Sequence, residues 1–182
     1  MKRSDYRRSA PAQVRVEPDG ARWALVFVRE LAHPPDKVWR ALTDPAQLRE
    51  WAPFDADRDL SSAGSAQLAM AGAPEPELSA AEVRRAERPH VLEYTWGKDV
   101  LCWTLEPIAS GTRLTLRHSL EDRSWLPKVA AGWHICLDVA ERALSGEPVG
   151  RIVGAAARDH GWEALEKAYA DRTGIPSSGF PE

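Results

Sequence analysis

Two hydrophobic periods run along the chain, and the change from one to the other separates a sheet from the helices that cover it. Gln13 to Glu17 (QVRVE) alternates apolar with polar residues, as a strand with one buried face requires, and Pro18-Asp19-Gly20 supplies turn chemistry. Trp23 to Leu31 (WALVFVREL) follows and is rich in β-formers, so the two segments predict a hairpin whose second strand is long. Pro34-Pro35 breaks that strand and opens a helix, since proline is tolerated in a first turn. In that helix Val38, Leu42 and Trp39 gather on one side; Asp44-Pro45 ends it and starts a second, in which Leu48 and Trp51 are three apart. The V-shaped pair is expected to plug one end of a sheet.

Period two then returns. Phe54 to Leu60, Gln67 to Met70, Ala80 to Glu87, Val91 to Trp96, Val100 to Glu106 and Thr112 to Leu120 read as strands. The connections are a turn over 61–65, a loop over 71–76, Arg88-Pro89-His90, Gly97-Lys98-Asp99 and Ser110-Gly111. They are too short for parallel crossovers, which take about a dozen residues or more, so the sheet is antiparallel. Alternation sorts its faces. Leu92, Tyr94 and Trp96 share one face, as do Leu101, Trp103 and Leu105, and Leu114, Leu116, His118 and Leu120. Glu93, Thr95, Thr104, Arg113, Thr115 and Arg117 occupy the other, which suits water. One face is therefore buried and strongly aromatic.

The cover for that face is a helical pattern over Val129 to Leu144, in which Trp133, Leu137, Ala140 and Leu144 cluster and Ile135, Cys136, Val139 and Ala143 widen the stripe. His134, Asp138, Glu141 and Arg142 fill the remaining arc, where a solvated pair of His134 and Asp138 is expected. A further helix over about Ala155 to Ala170 sets Trp162, Leu165 and Tyr169 on one side. The fold class is α+β: a curved antiparallel sheet around a long C-terminal helix, with two short helices after the first long strand and an extra terminal helix. One domain is expected over 12–174, between a disordered basic tail (1–11) and a flexible tail (175–182).

Composition adds three constraints. Eight tryptophans in 182 residues point to an aromatic-rich core or a ring-lined cavity. A formal net charge of -3 gives no general attraction to nucleic acid or an anionic membrane, and the basic cluster Lys2, Arg3, Arg7 and Arg8 is followed by no apolar run. No stretch approaches the roughly 18 apolar residues of a membrane span. Two cysteines, Cys102 and Cys136, both in apolar contexts, suggest a reduced, cytoplasmic protein rather than a disulfide framework.

The order of these segments resembles a known family. A strand, then Pro34 to Pro45 (PPDKVWRALTDP), Leu48-Arg49-Glu50-Trp51, the meander with Leu92 to Trp96 (LEYTW), Gly111 to His118 (GTRLTLRH) and Ala131 to Leu137 (AGWHICL) is similar to the START-like (SRPBCC) superfamily. Within it the chain resembles bacterial homologues of the activator of the heat-shock chaperone ATPase, over nearly its whole length. The resemblance implies the helix-grip fold, with about seven strands gripping a C-terminal helix around a hydrophobic cavity. It implies less about function, since members include lipid carriers, hormone receptors and polyketide cyclases.

Candidate site residues follow from the aromatic face. Trp51, Tyr94, Trp96, Trp103, His118, Trp133 and Leu137 are expected to converge between sheet and helix around a small, mostly apolar ligand. His118, between Leu116 and Leu120, would orient a polar group of that ligand or, in an enzyme of cyclase, dehydratase or hydrolase type, act as general acid or base. No cofactor and no metal are expected, because His134 and Asp138 without a third ligand are weak evidence for zinc. Nucleophile elbows, phosphate-binding glycine loops and Cys-x-x-Cys pairs do not occur. The leading expectation is a carrier or sensor of an apolar molecule. A module acting on a chaperone ATPase is the alternative that the resemblance suggests, although the additional domain of a full-length activator is not expected within these 182 residues. A homodimer could form through an exposed edge strand.

Overall fold

A computed structural model describes residues 6–72 and 77–180. Strands β1 (Gln13–Asp19) and β2 (Arg22–Leu31) form the opening hairpin, and helices α1 (Pro35–Thr43) and α2 (Pro45–Trp51) follow. The meander consists of β3 (Phe54–Ala56), β4 (Gly64–Met70), β5 (Leu78–Glu87), β6 (Val91–Trp96), β7 (Asp99–Ile108) and β8 (Gly111–Leu120). A short 3-10 turn at Arg123–Trp125 leads into the long helix α3 (Leu126–Leu144), and α4 (Ala155–Arg158) and α5 (Trp162–Thr173) complete the chain.

The eight strands make one curled sheet in the order β1-β2-β8-β7-β6-β5-β4-β3, and every neighbouring pair is antiparallel. A register shift between Val83 and Arg85 marks an irregularity in β5, the kind of interruption that strengthens local twist. At Gly111 the chain passes so close to the end of β2 that a Cβ would lie 2.2 Å from the Leu31 carbonyl oxygen, at a φ of 142°. Only glycine fits there. The helix-grip architecture follows, with α3 laid against the aromatic face.

That face is filled rather than hollow. Trp39, Trp51, Tyr94, Trp103, Phe27 and Phe54 are among the largest fully buried side chains. Trp103 packs edge-to-face with Trp51 at 6.3 Å and with Trp133 at 5.2 Å, and its indole N–H donates to the Tyr94 hydroxyl at 3.1 Å. Trp51 donates its own N–H to the Ala41 carbonyl at 3.0 Å, which ties α2 to α1.

The structure departs from the sequence expectations in several places, each with a cause. The strand expected over Phe54 to Leu60 stops at Ala56, because the Arg58 guanidinium gathers the carbonyls of Asp59, Ser62, Gly64 and Ser65 and holds the following residues as a loop. The terminal helix divides at Gly161, whose φ of 87° is left-handed. Most of the expected loop over 71–76 lies outside the described residues, as do 1–5 and 181–182.

The expected solvated arc of α3 is corrected: His134 is 0% exposed and Asp138 5%. The tail segment ahead of β1 covers them. Tyr6, expected in a disordered tail, is 5% exposed and donates its hydroxyl to Asp138 at 2.8 Å. The far end is packed as well, with Ile175 buried, Ser177 and Ser178 donating to the buried carboxylate of Glu166, and Phe180 edge-on to Trp162 at 4.9 Å.

Candidate functional site

A cleft of about 240 Å³ opens beside the N-terminal half of α3. One wall is the helix itself, through Trp125, Lys128, Val129, Gly132, Trp133 and Cys136. The facing wall comes from the segment after α3: Ile152, Val153, Ala157, Trp162 and Phe180. Trp96, at the end of β6, and His118, on β8, close the sheet side. Apolar and aromatic groups make nearly all of this surface, and convergent polar groups are few, as in small-molecule sites generally.

Gly132 has a specific part in that shape. It lies in the interior of a 19-residue helix, and a Cβ built on it would meet nothing within 4 Å. Glycine there costs the helix about 0.8–1 kcal/mol relative to alanine, with no steric demand to justify it. Its effect is to leave the helix backbone bare on the cleft side. Gly132→Ala is therefore expected to raise unfolding stability by about 0.5–1 kcal/mol, read as a higher urea midpoint at unchanged slope.

Trp133 is held by a relay that runs from the buried His118 to the half-buried Asp99. Its indole N–H donates to Nδ1 of His118 at 3.0 Å, and Nε2 of His118 faces Oδ2 of Asp99 at 2.9 Å. The register of β6 on β7 sets Asp99 opposite Trp96, and Arg22 holds the same carboxylate at 3.3 Å. Because Nδ1 accepts from the indole, the proton of the neutral ring belongs on Nε2, which donates a hydrogen bond to the Asp99 carboxylate. The imidazole thus orients a wall of the cleft. Its one lone pair is engaged, so it has no free acceptor for a substrate proton.

Cys136 also faces the cleft, and burial pushes its thiol up to about 12. Such a thiol stays protonated at neutral pH and is a poor nucleophile.

The candidate residues separate into two groups. Trp96, His118 and Trp133 line the cleft, whereas Tyr94, Trp103 and Leu137 sit in the packed core. Trp51 is buried too, and its edge borders a separate recess near Ala140 and Pro148. Sequence reasoning passed over Trp125, Lys128, Val129 and Gly132. The spacing of Val129, Gly132, Trp133 and Cys136 (i, i+3, i+4, i+7) puts them on one helix stripe, so a wheel read for a gap as well as for apolar residues could have found that wall.

A second polar cluster lies on the other side of α3. Asp138 accepts from the Tyr6 hydroxyl, the Ser9 amide at 2.9 Å, the Ser9 hydroxyl at 2.7 Å and the Arg29 guanidinium. His134 stands 3.3 Å from the same carboxylate through Nε2, and its Nδ1 meets the Tyr169 hydroxyl at 2.7 Å. Burial works against ionisation of Asp138, but the hydrogen bond from His134, the charge of Arg29 and the Ser9 amide outweigh it and hold the carboxyl well below its usual range. Burial pushes the Tyr169 phenol up to about 12, so it remains a hydroxyl that can donate to His134. Apart from Nη1 of Arg29, which is buried without a partner, the groups of the cluster bond to one another and pin the N-terminal segment and α5 to α3.

A curled antiparallel sheet, a long C-terminal helix laid on it and a ring-lined cleft beside that helix define a helix-grip protein of the SRPBCC type. Residues 32–145 match the family model for Activator of Hsp90 ATPase homolog 1-like protein, and the chain belongs to that family. Solved structures agree on the fold. CalU16 from Micromonospora echinospora is 20% identical with a TM-score of 0.64, over 88% of this chain and 95% of that one. EF2215 from Enterococcus faecalis, a conserved protein of unknown function, is 18% identical with a TM-score of 0.66, over 88% of this chain and 89% of its own. MLL2253 from Mesorhizobium loti is 26% identical with a TM-score of 0.59, over 68% of this chain and 97% of its own. No protein with a curated description matches the sequence. The family match ends at residue 145, so the wall of the cleft formed by Ile152, Trp162 and Phe180 lies beyond it. Among the described residues no helix is long and apolar enough to cross a membrane.

Proposed function

We propose that this chain binds a small, mostly apolar molecule in the cleft between α3 and the segment that follows it, as a carrier or sensor. The observation that carries the reading is Gly132, a helix-weakening residue whose bare backbone keeps one wall of an aromatic cleft open. Four tryptophans around the opening, Trp96, Trp125, Trp133 and Trp162, offer flat faces and edges to a ring system. The relay from Asp99 through His118 fixes the orientation of one of them before any ligand arrives, which lowers the ordering cost of binding.

The same relay weighs against a cyclase, dehydratase or hydrolase centred on His118, since the nitrogen that would accept a proton already accepts the Trp133 indole. Unpaired Cys102 and Cys136 fit a reducing compartment such as the cytoplasm. The test is a titration with N-phenyl-1-naphthylamine, a neutral probe that fluoresces in apolar surroundings. One saturable site with matching quenching of tryptophan emission is expected. Absence of any saturable enhancement would refute the reading.

A further inference from the structure

The polar lining of the cleft is one-sided. His118 spends both ring nitrogens on internal partners, at 2.9 Å and 3.0 Å. Lys128 does not: its ammonium lies 4.7 Å from the centroid of the Trp125 ring, over its face, and among the described residues no carboxylate pairs with it. Asp122 feels its charge, but that carboxyl is held below its usual range first by hydrogen bonds from Ser124 and only least by Lys128. Trp125 is 43% exposed, so the pair stands at the rim. The rim is also the N-terminal end of α3, whose first turn carries no acidic residue, and the positive end of the backbone dipole adds to the lysine charge there. Deeper in, the surface is apolar: Val129, Trp133, Ile152 and Trp162.

An apolar body with one unpaired cation at its mouth selects by charge. A cation would be repelled at the rim, and a neutral molecule would leave the ammonium with the Trp125 ring alone and no counter-charge, whereas an acid pairs with it while its rings leave water. At about 240 Å³ the cleft falls below the range of about 300–1,000 Å³ that drug-sized ligands occupy, which limits the body to about two or three rings. On the reading of the cleft as a binding site, we infer that its ligand is a small amphipathic monoanion, a carboxylate carried on a compact ring system, with the acid at Lys128 and the rings between Trp133 and Trp162.

The test is displacement of N-phenyl-1-naphthylamine from the full chain by a matched pair, 2-naphthoate and neutral 2-naphthamide. Naphthoate is expected to compete about tenfold better, equivalent to about 1.4 kcal/mol. Raising the salt should narrow that preference. Lys128→Gln should reduce the ratio to near one and Lys128→Arg should retain it; thermal melts of both variants check that they fold. Equal competition by the two compounds would overturn the assignment of an anionic ligand, and a preference that survives Lys128→Gln would overturn Lys128 as its partner; either result leaves the cleft standing. Failure of the reporter itself to bind would overturn the cleft reading, and this inference with it.

Discussion

Trp103→Ala is expected to lower unfolding stability by about 3–5 kcal/mol, the range for removing a large aromatic from a packed core. The side chain is fully buried at the centre of β7, with Trp51 on one edge and Trp133 on the other. Its loss takes away both edge-to-face contacts, empties the middle of the sheet face and strips the Tyr94 hydroxyl of its indole donor. Burial already holds that phenol well above its usual pKa, so the hydroxyl has no route to charge as compensation. A domain with about 5–15 kcal/mol of stability in total would lose a large share of it. Trp103→Phe keeps a ring and should cost distinctly less. Urea unfolding of the three proteins at one temperature measures both, and a loss below about 1 kcal/mol for the alanine variant would mean that the rings are not packed as described. Because Trp133 leans on Trp103, probe affinity at the cleft should fall in the same series.

The second large effect belongs to Asp138. Asp138→Ala leaves the Arg29 guanidinium, whose Nη1 already lacks a partner, nearly buried without its counter-charge. Removing one member of a buried pair costs about 3–5 kcal/mol. It also releases Tyr6 and Ser9, so the N-terminal segment should become accessible to protease. The pH dependence has a definite sign. The folded carboxyl is held well below the value of about 3.9 that it has in the unfolded chain, so its contribution is complete above that value. It is lost as the pH falls through the depressed folded value. Stability measured from pH 5 downward should therefore drop less steeply in Asp138→Asn than in the parent, and parallel curves would rule out this carboxylate as a source of acid sensitivity.

Much of the fold was readable from the chain because a sheet face is a two-way choice. Leu92, Tyr94, Leu101, Trp103, Leu114 and Leu116 fell at alternate positions, and all are buried. Short connections made the strands antiparallel, and the apolar stripe of α3 identified the covering helix. What could not be read was cover from outside the pattern. A wheel assumes one buried side, but α3 has the sheet on one side and α5 with the N-terminal segment on another, so His134 and Asp138 are enclosed despite their polarity. The site was half legible for a similar reason. Alternation groups Tyr94 with Trp96 and says nothing of depth: Tyr94 is in mid-strand and packed, while Trp96 ends its strand and reaches the cleft. Residues after 145 supply the opposing wall through loops and short helices without period, and no count of apolar positions locates such a wall.

The most direct test uses the space above Gly132. Leucine at that position favours a helix over glycine, and its side chain would extend from an open Cβ position into the cleft. Gly132→Leu and the parent should be titrated with N-phenyl-1-naphthylamine and unfolded in urea side by side. Binding lost at least tenfold, with stability equal or higher, is the outcome expected if the cleft is the binding site. Unchanged probe affinity in a folded Gly132→Leu protein would place the binding surface elsewhere and contradict the proposed function.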